Sequence, residues 1–285
     1  MIKRSMTTRA SALAGTQRSA IAARMLNALA IGIVFTLLLT PVVMIIWASF
    51  IDSVFISFPP PGYTLRWFSA AARNTAFFSG FMTSFKVAAI AAALGVVIAT
   101  AASLALVRGQ FPGRAALNSL LLSPLMVPNI VLGTALYVFY IAVSDSTGLE
   151  LTRGIAGLVA AHLLLTVPWS IRLISANLIG IDRSIEEAAA NLGANPLRTF
   201  LSITLPQMRS GVIAAALFSF IISFENLELS LLLVEPGATT LPIAIMQYLE
   251  FNMDPTIAAV STAQIVIIAA LLVITDRFVK LSRVV

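Results

Sequence analysis

The chain is 285 residues long, 59% hydrophobic and 11% charged, with a mean hydropathy of +0.97; ordinary soluble domains are about 45–50% apolar and about 25% charged. That excess excludes a water-soluble globule and makes lipid the solvent for most of the surface. The absence of cysteine excludes disulfides and thiolate chemistry, and in a membrane protein the net charge of +6 points to Lys and Arg gathered on the cytoplasmic side rather than to nucleic acid.

Residues 1–26 read as a mobile cytoplasmic tail carrying Lys3, Arg4, Arg9, Arg18 and Arg24, and residues 27–285 as a transmembrane domain. The first uncharged run, 28–48, matches the roughly 20 residues that cross the hydrocarbon core. It exceeds the about 7–15 apolar residues of a cleaved signal peptide, so it reads as a retained signal anchor. Further spans are expected at 77–107, 115–143, 154–180, 208–234 and 255–276. Pro124 and Pro128 make the span at 115–143 one long or kinked helix. His162, Pro168 and Arg172 interrupt the next one.

Six spans put both termini on one side. Thirteen Lys and Arg fall in the tail, around Arg108 and Arg114, among Arg183, Arg198 and Arg209, and after Asp276. The alternate connections hold three, Arg66, Arg73 and Arg153. The positive-inside rule therefore places both termini and the segment 182–206 in the cytoplasm, and the connections 52–73, 145–153 and 235–254 outside.

The segment 182–206 is the long polar interruption between apolar runs, and it is densely punctuated. Ser184 with Glu187 three residues on reads as a capping box, and Glu186 and Glu187 lie in the first turn, where the helix dipole favours acids. Ala188 and Ala189 favour helix, and Gly193 ends it. Such a helix of about two turns is too short to stand alone in water, so its apolar face, Ile185, Ala188, Ala189 and Leu192, is expected to be docked. Asn195 and Pro196 restart the chain as an N-cap and a first helical residue. Pro206 disfavours helical geometry at Leu205, so a second short helix is expected to stop there and the fifth span to begin.

Glu187-Ala188-Ala189, then Gly193, Ile203 and Leu205-Pro206 at fixed spacing, resemble the "EAA" loop of permease subunits in binding-protein-dependent ABC importers. The six-span layout, with this loop between the fourth and fifth spans, is similar to that family over nearly the whole chain. Within it, the run from Phe58 to Phe68, Phe111-Pro112-Gly113-Arg114 and Asp254-Pro255 resemble the spermidine/putrescine type. The resemblance implies an all-α membrane protein of the type I importer permease fold, in which 182–206 carries a coupling helix. Glu186, Glu187, Ala188, Ala189, Gly193, Ile203, Leu205 and Pro206 would form the ATPase contact, with Glu187 paired to a basic group there. It also implies a second permease subunit, a different chain, together with two ATPase subunits and a periplasmic substrate-binding protein. No cofactor sits on this chain; ATP and Mg belong to the ATPases. Location is the bacterial inner membrane.

Glu225 and Glu228 are acids inside an apolar span, where charge is costly and marks a pathway or a partner. At three-residue spacing they are expected to share one helix face. Two readings stand: they attract a cation near the outer mouth, as the spermidine/putrescine resemblance implies, or they pair with Arg172 or the partner permease and fix packing. Trp169 and Tyr137 are aromatic candidates for the same path through cation–π contact. His162, alone in its span, reads as a hydrogen-bonded packing residue, and Lys86 as a side chain snorkelling to the outer interface. A polyamine or related amine leads as cargo, with amino acid derivatives, phosphonates and ferric ion behind. The chain has no Gly-x-x-x-x-Gly-Lys-Ser/Thr run, so ATP hydrolysis is expected on a separate subunit. A secondary transporter or channel is the rival class, and it would not require a docked cytoplasmic helix.

Overall fold

The computed structural model describes residues 2–55, 58–152, 154–234 and 238–279, with side chains from Arg24 to Arg277 outside the gaps. The charges counted at Lys3, Arg4, Arg9, Arg18, Arg153, Lys280 and Arg283 lie outside the described side chains. Regular structure among the described residues is helical, and six helices are long and apolar enough to cross a membrane. α1 runs Ile2–Ala48, so the basic segment read as a tail continues the first span as helix; the apolar part is Arg24–Ala48.

Beyond α1 the chain turns back on itself. Asp52 N–H donates to Gly62 O at 2.9 Å and Thr64 N–H to Phe50 O at 2.7 Å. This turn seats α2, Arg66–Arg73, whose Trp67 indole donates to Ile51 O at 2.8 Å.

The centre of the fold is the packing of α3 (Thr75–Arg108), α6 (Ile155–Ile179) and α9 (Leu205–Phe224). Lipid supplies no hydrophobic force between helices, so close approach and interhelical hydrogen bonds must hold them. The sequence provides for both. Ala88, Ala91, Ala92, Gly95 and Ala99 of α3, Ala161 of α6, and Gly211, Ala214 and Ala215 of α9 are buried. A Cβ on Gly95 would meet Thr166 Oγ1 at 2.7 Å, and one on Gly211 would meet Asn177 Cβ at 2.6 Å. Hydroxyls then cross between the helices: Thr166 donates to Ala91 O at 3.3 Å, Ser219 to Thr166 O at 3.3 Å, and Ser170 pairs with Ser219 at 2.8 Å.

The region expected as one span at 115–143 is broken. α4 (Arg114–Leu122) leads into a 3-10 turn, Ser123–Met126, and α5 (Asn129–Thr147) starts afresh. Val127 is extended, φ −96° and ψ 130°, because the ring of Pro128 disfavours helix in the residue before it.

The fifth span is broken too. α9 ends at Phe224, and α10 (Glu228–Leu233) begins after three intervening residues. Asn226 Oδ1 accepts the N–H of Leu229 at 3.0 Å, a local side-chain contact that competes with continued helix. The connection 235–254 contains a helix that periodicity did not suggest. This is α11, Leu241–Phe251, whose Leu241, Ile243 and Ala244 are buried. Its first N–H is capped by Ser84 Oγ of α3 at 2.9 Å. α12, Thr256–Val279, completes the chain and packs on α1, α2 and α9.

Candidate functional site

The ends of α3 and α6 and the start of α9 meet on one side of the helix layer, and the short helix α7, Arg183–Asn191, lies across them. Its N-cap is Asp182, whose Oδ1 accepts from Ser184 N–H at 2.9 Å. The capping box expected from Ser184 and Glu187 is therefore absent, because the helix begins two residues earlier and leaves Ser184 inside the first turn. The Ser184 N–H and hydroxyl hold the Asp182 carboxyl below its ordinary pKa.

The other end of α7 is closed by Gly193 as the sequence suggests. Gly193 has φ +85°; its N–H donates to Ala190 O at 2.9 Å and the N–H of Ala194 to Ala189 O at 3.0 Å. These two bonds make a Schellman motif, which requires the left-handed conformation that glycine adopts freely. Asn195 then caps α8, Pro196–Thr199, by accepting from Arg198 N–H at 2.8 Å.

The expected stop at Leu205 does not occur. Leu205 is helical, φ −62° and ψ −44°, and helix continues from Pro196 through a π segment, Phe200–Thr204, into α9. Proline lacks an N–H and clashes with the carbonyl four residues back in an α-helix. The wider π turn, closed by Leu205 N–H on Phe200 O, takes up that misfit. The second piece of the loop is thus the rigid start of the fifth span.

The two adjacent acids of α7 have different surroundings. Glu186 faces inward. The Arg108 Nε lies 3.2 Å from Glu186 Oε2 as an ion pair, with both side chains less than one-fifth exposed. Arg108 Nη2 donates to Glu186 Oε1 at 3.3 Å and to Ile181 O at 3.0 Å, and Thr204 Oγ1 donates to Glu186 Oε1 at 3.0 Å. Glu186 thereby joins α7 to the end of α3 and to the π segment. Glu187 points outward, two-thirds exposed, in a surface pair with Arg183 at 3.3 Å, worth little in water. Of the apolar face expected to be docked, Ala189 is buried, whereas Ala188 is exposed, Ile185 is 44% exposed and Leu192 is 90% exposed. A cleft of about 460 Å³ opens between α7, α8 and α3, lined among others by Arg183, Glu187, Ala194 and Phe200.

The second group of candidate residues lies at the far end of α9. Glu225 is the C-cap of α9 and Glu228 the first residue of α10, and both are exposed. They do not share a face of one helix, since the break at Asn226 and Leu227 separates them. The pairing of Ser170 with Ser219 sets the register of α6 against α9. At about 1.5 Å per residue, Arg172 and Glu225 are then roughly 12 Å apart along the helix axes. Trp169 packs edge-on against Phe218 at 5.2 Å, below the level of the acids. Tyr137 is 44% exposed on α5. His162 is 1% exposed, and its two ring nitrogens lie 2.7 Å from Ser223 Oγ and 3.1 Å from Ser230 Oγ, in keeping with a packing role. Pairing by hydroxyls across 61 and 68 residues carries no local sequence signal. Neither does the grip of Arg108 on Glu186.

Residues 91–283 match the family model of the binding-protein-dependent transport system inner membrane component. The chain is 33% identical over 229 residues to the putrescine transport system permease protein PotI of Escherichia coli strain K12, covering 80% of this chain and 81% of that protein. It is 27% identical over 249 residues to the spermidine/putrescine transport system permease protein PotC of Haemophilus influenzae, covering 87% and 94%. Among solved structures, it resembles a chain of the bacterial alginate ABC transporter in complex with an alginate pentasaccharide-bound periplasmic protein, with a TM-score of 0.71 at 14% identity over 89% of this chain and 92% of that one. The six apolar spans, the loop fastened across the ends of α3 and α9, and these matches have one conclusion: the chain belongs to the family of binding-protein-dependent transport system inner membrane components, the multi-pass permease subunits of ABC importers.

Proposed function

We propose that this chain is one half of the translocation path of an ATP-driven importer of polyamines. A different permease chain forms the other half, a periplasmic protein delivers the cargo, and α7 is the docking knob for an ATPase subunit. Both termini and α7 lie in the cytoplasm. The observation that carries this reading is the two-faced character of α7. Its inner face is fastened through Glu186 to α3 and to the π segment that starts the fifth span, while Ile185, Glu187 and Leu192 are exposed outside the spans. Apolar side chains exposed in water mark a partner surface, and a knob rigidly tied to two spans transmits a push.

In this reading Glu187 and Ala188 form the contact and Gly193 its turn, the buried Ala189 seats the helix, and Ile203, Leu205 and Pro206 belong to the stiff start of the fifth span. Closure of the ATPases moves α7, and Arg108, Glu186 and Thr204 pass the displacement to α3 and α9, alternating access to the path. The cargo class is supported by the similarity to the putrescine and spermidine/putrescine permease proteins and by Glu225 and Glu228 at the outer end of the path, where an amine loses part of its hydration to carboxylates. Trp169 and Tyr137 are assigned to the same path at deeper and lateral positions.

The test is reconstitution of the chain with its partner permease, ATPase and binding protein in vesicles. Labelled putrescine should accumulate only with ATP and the binding protein. Uptake that persists without the ATPase would overturn the assignment.

A further inference from the structure

We propose that His162 is a positioning residue that sets the break in the fifth span, and through it the placement of Glu225 and Glu228; this rests on the reading of those acids as part of the cation path. The imidazole comes from α6 and touches both sides of the break. One nitrogen, Nδ1, is 2.7 Å from Ser223 Oγ at the end of α9, and the other, Nε2, is 3.1 Å from Ser230 Oγ in α10. In a continuous helix, residues seven apart are about 10 Å apart along the axis. One imidazole with two hydrogen bonds of 2.7 and 3.1 Å spans less than that. The bridge therefore fits the broken chain and not the unbroken one.

The proton count fixes the direction of each bond. Ser230 donates its single hydroxyl proton to Asn226 O at 2.9 Å, so His162 Nε2 carries the proton that Ser230 Oγ accepts, and Nδ1 accepts from Ser223. Asn226 in turn accepts the N–H of Leu229 through Oδ1. The turn Glu225–Leu227 is thus closed from within by Asn226 and clamped to α6 by His162, with Ser223, Ser230 and His162 all buried. Glu225 and Glu228 stand on the exposed side of the same turn. A polar core residue that only filled space would not need partners on both sides of a helix break.

The test uses the full transport complex in vesicles with putrescine as probe. His162→Leu and Ser230→Ala should raise KM for uptake by about fivefold to tenfold, the cost of one or two buried hydrogen bonds, with a smaller change in Vmax; His162→Gln, which keeps a donor and an acceptor, should recover part of the loss. Because the chain has no cysteine, Glu225→Cys provides a single reporter thiol on this subunit, read on the isolated subunit band. Its reaction rate with a membrane-impermeant cationic thiosulfonate should change at least about fivefold when His162→Leu is added. Ser230→Ala serves the same comparison if His162→Leu does not assemble. Unchanged KM and labelling in the His162 and Ser230 variants, with a raised KM for Glu225→Gln, would overturn the inference and leave the path standing. Unchanged KM for Glu225→Gln would instead remove the path reading, and the labelling rate alone would then decide whether His162 sets the turn.

Discussion

Arg108 at the end of α3 grips Glu186 of α7, 78 residues later in the chain, by an ion pair of 3.2 Å and a hydrogen bond of 3.3 Å. The same carboxylate takes a hydrogen bond from Thr204 of the π segment. Three elements therefore meet at one side chain, which makes it the joint between the exposed knob and the spans.

Glu186→Gln or Arg108→Gln should loosen that joint without removing the docking face. ATP hydrolysis by the assembled complex should continue, while putrescine transported per ATP falls about 5-fold or more, the scale of typical coupling free energies of about 1–3 kcal/mol. Parallel assays of uptake and phosphate release on the same vesicles check it. An unchanged ratio would show that α7 drives α9 alone.

Gly193→Ala isolates backbone strain. No neighbour lies within 4 Å of the added Cβ, so the cost is that of a left-handed residue with a side chain, about 1–2 kcal/mol. Binding of the ATPase subunit in detergent should weaken about tenfold. Gly193→Asn should be milder, since asparagine tolerates this conformation.

Gly211→Ala tests the close approach of α6 and α9. The new methyl would lie 2.6 Å from Asn177 Cβ, an atom fixed to the backbone, so the helices must separate. A loss of about 1–3 kcal/mol is expected, read as a lower melting temperature of the purified protein and a weaker Asn177–Ser210 contact.

The Asp182 cap has a pH signature. Its carboxyl pKa is lowered chiefly by the Ser184 backbone N–H, with help from the Ser184 hydroxyl. A depressed folded-state pKa means that the contribution is complete above the usual carboxylate range and is lost as pH falls through the lowered value. Hydrogen exchange of the α7 amides, compared with Asp182→Asn at each pH, should show equal protection for the two proteins at low pH and more for the wild type near neutrality.

Glu225→Gln and Glu228→Gln should each raise KM for putrescine more than they lower Vmax, by about tenfold for the pair if each carboxylate contributes a partly desolvated charge contact. The measurement is uptake against putrescine concentration at two ionic strengths. Higher salt should narrow the difference from wild type.

Much of this molecule is legible without coordinates because membrane spans and helix caps are local. Uncharged runs of about 20 residues mark the spans; Gly193, Asn195 and Pro196 mark the bend after α7 through rules that act over four or five residues. The choice between Asp182 and Ser184 as the cap was not legible, since both are good caps two residues apart and tertiary seating of α7 selects one.

The cross-links, and the course of the fifth span at Pro206 and after Phe224, were decided with the tertiary structure. Pro206 reads as a stop, yet the π segment absorbs it because Thr204 is held by Glu186. Glu225 and Glu228 read as one helix face, yet Asn226 and the His162 bridge part them. Apolarity alone places a segment in lipid, whereas interruptions inside it depend on which buried hydrogen-bond partners neighbouring helices bring, and those partners are 18 to 78 residues distant.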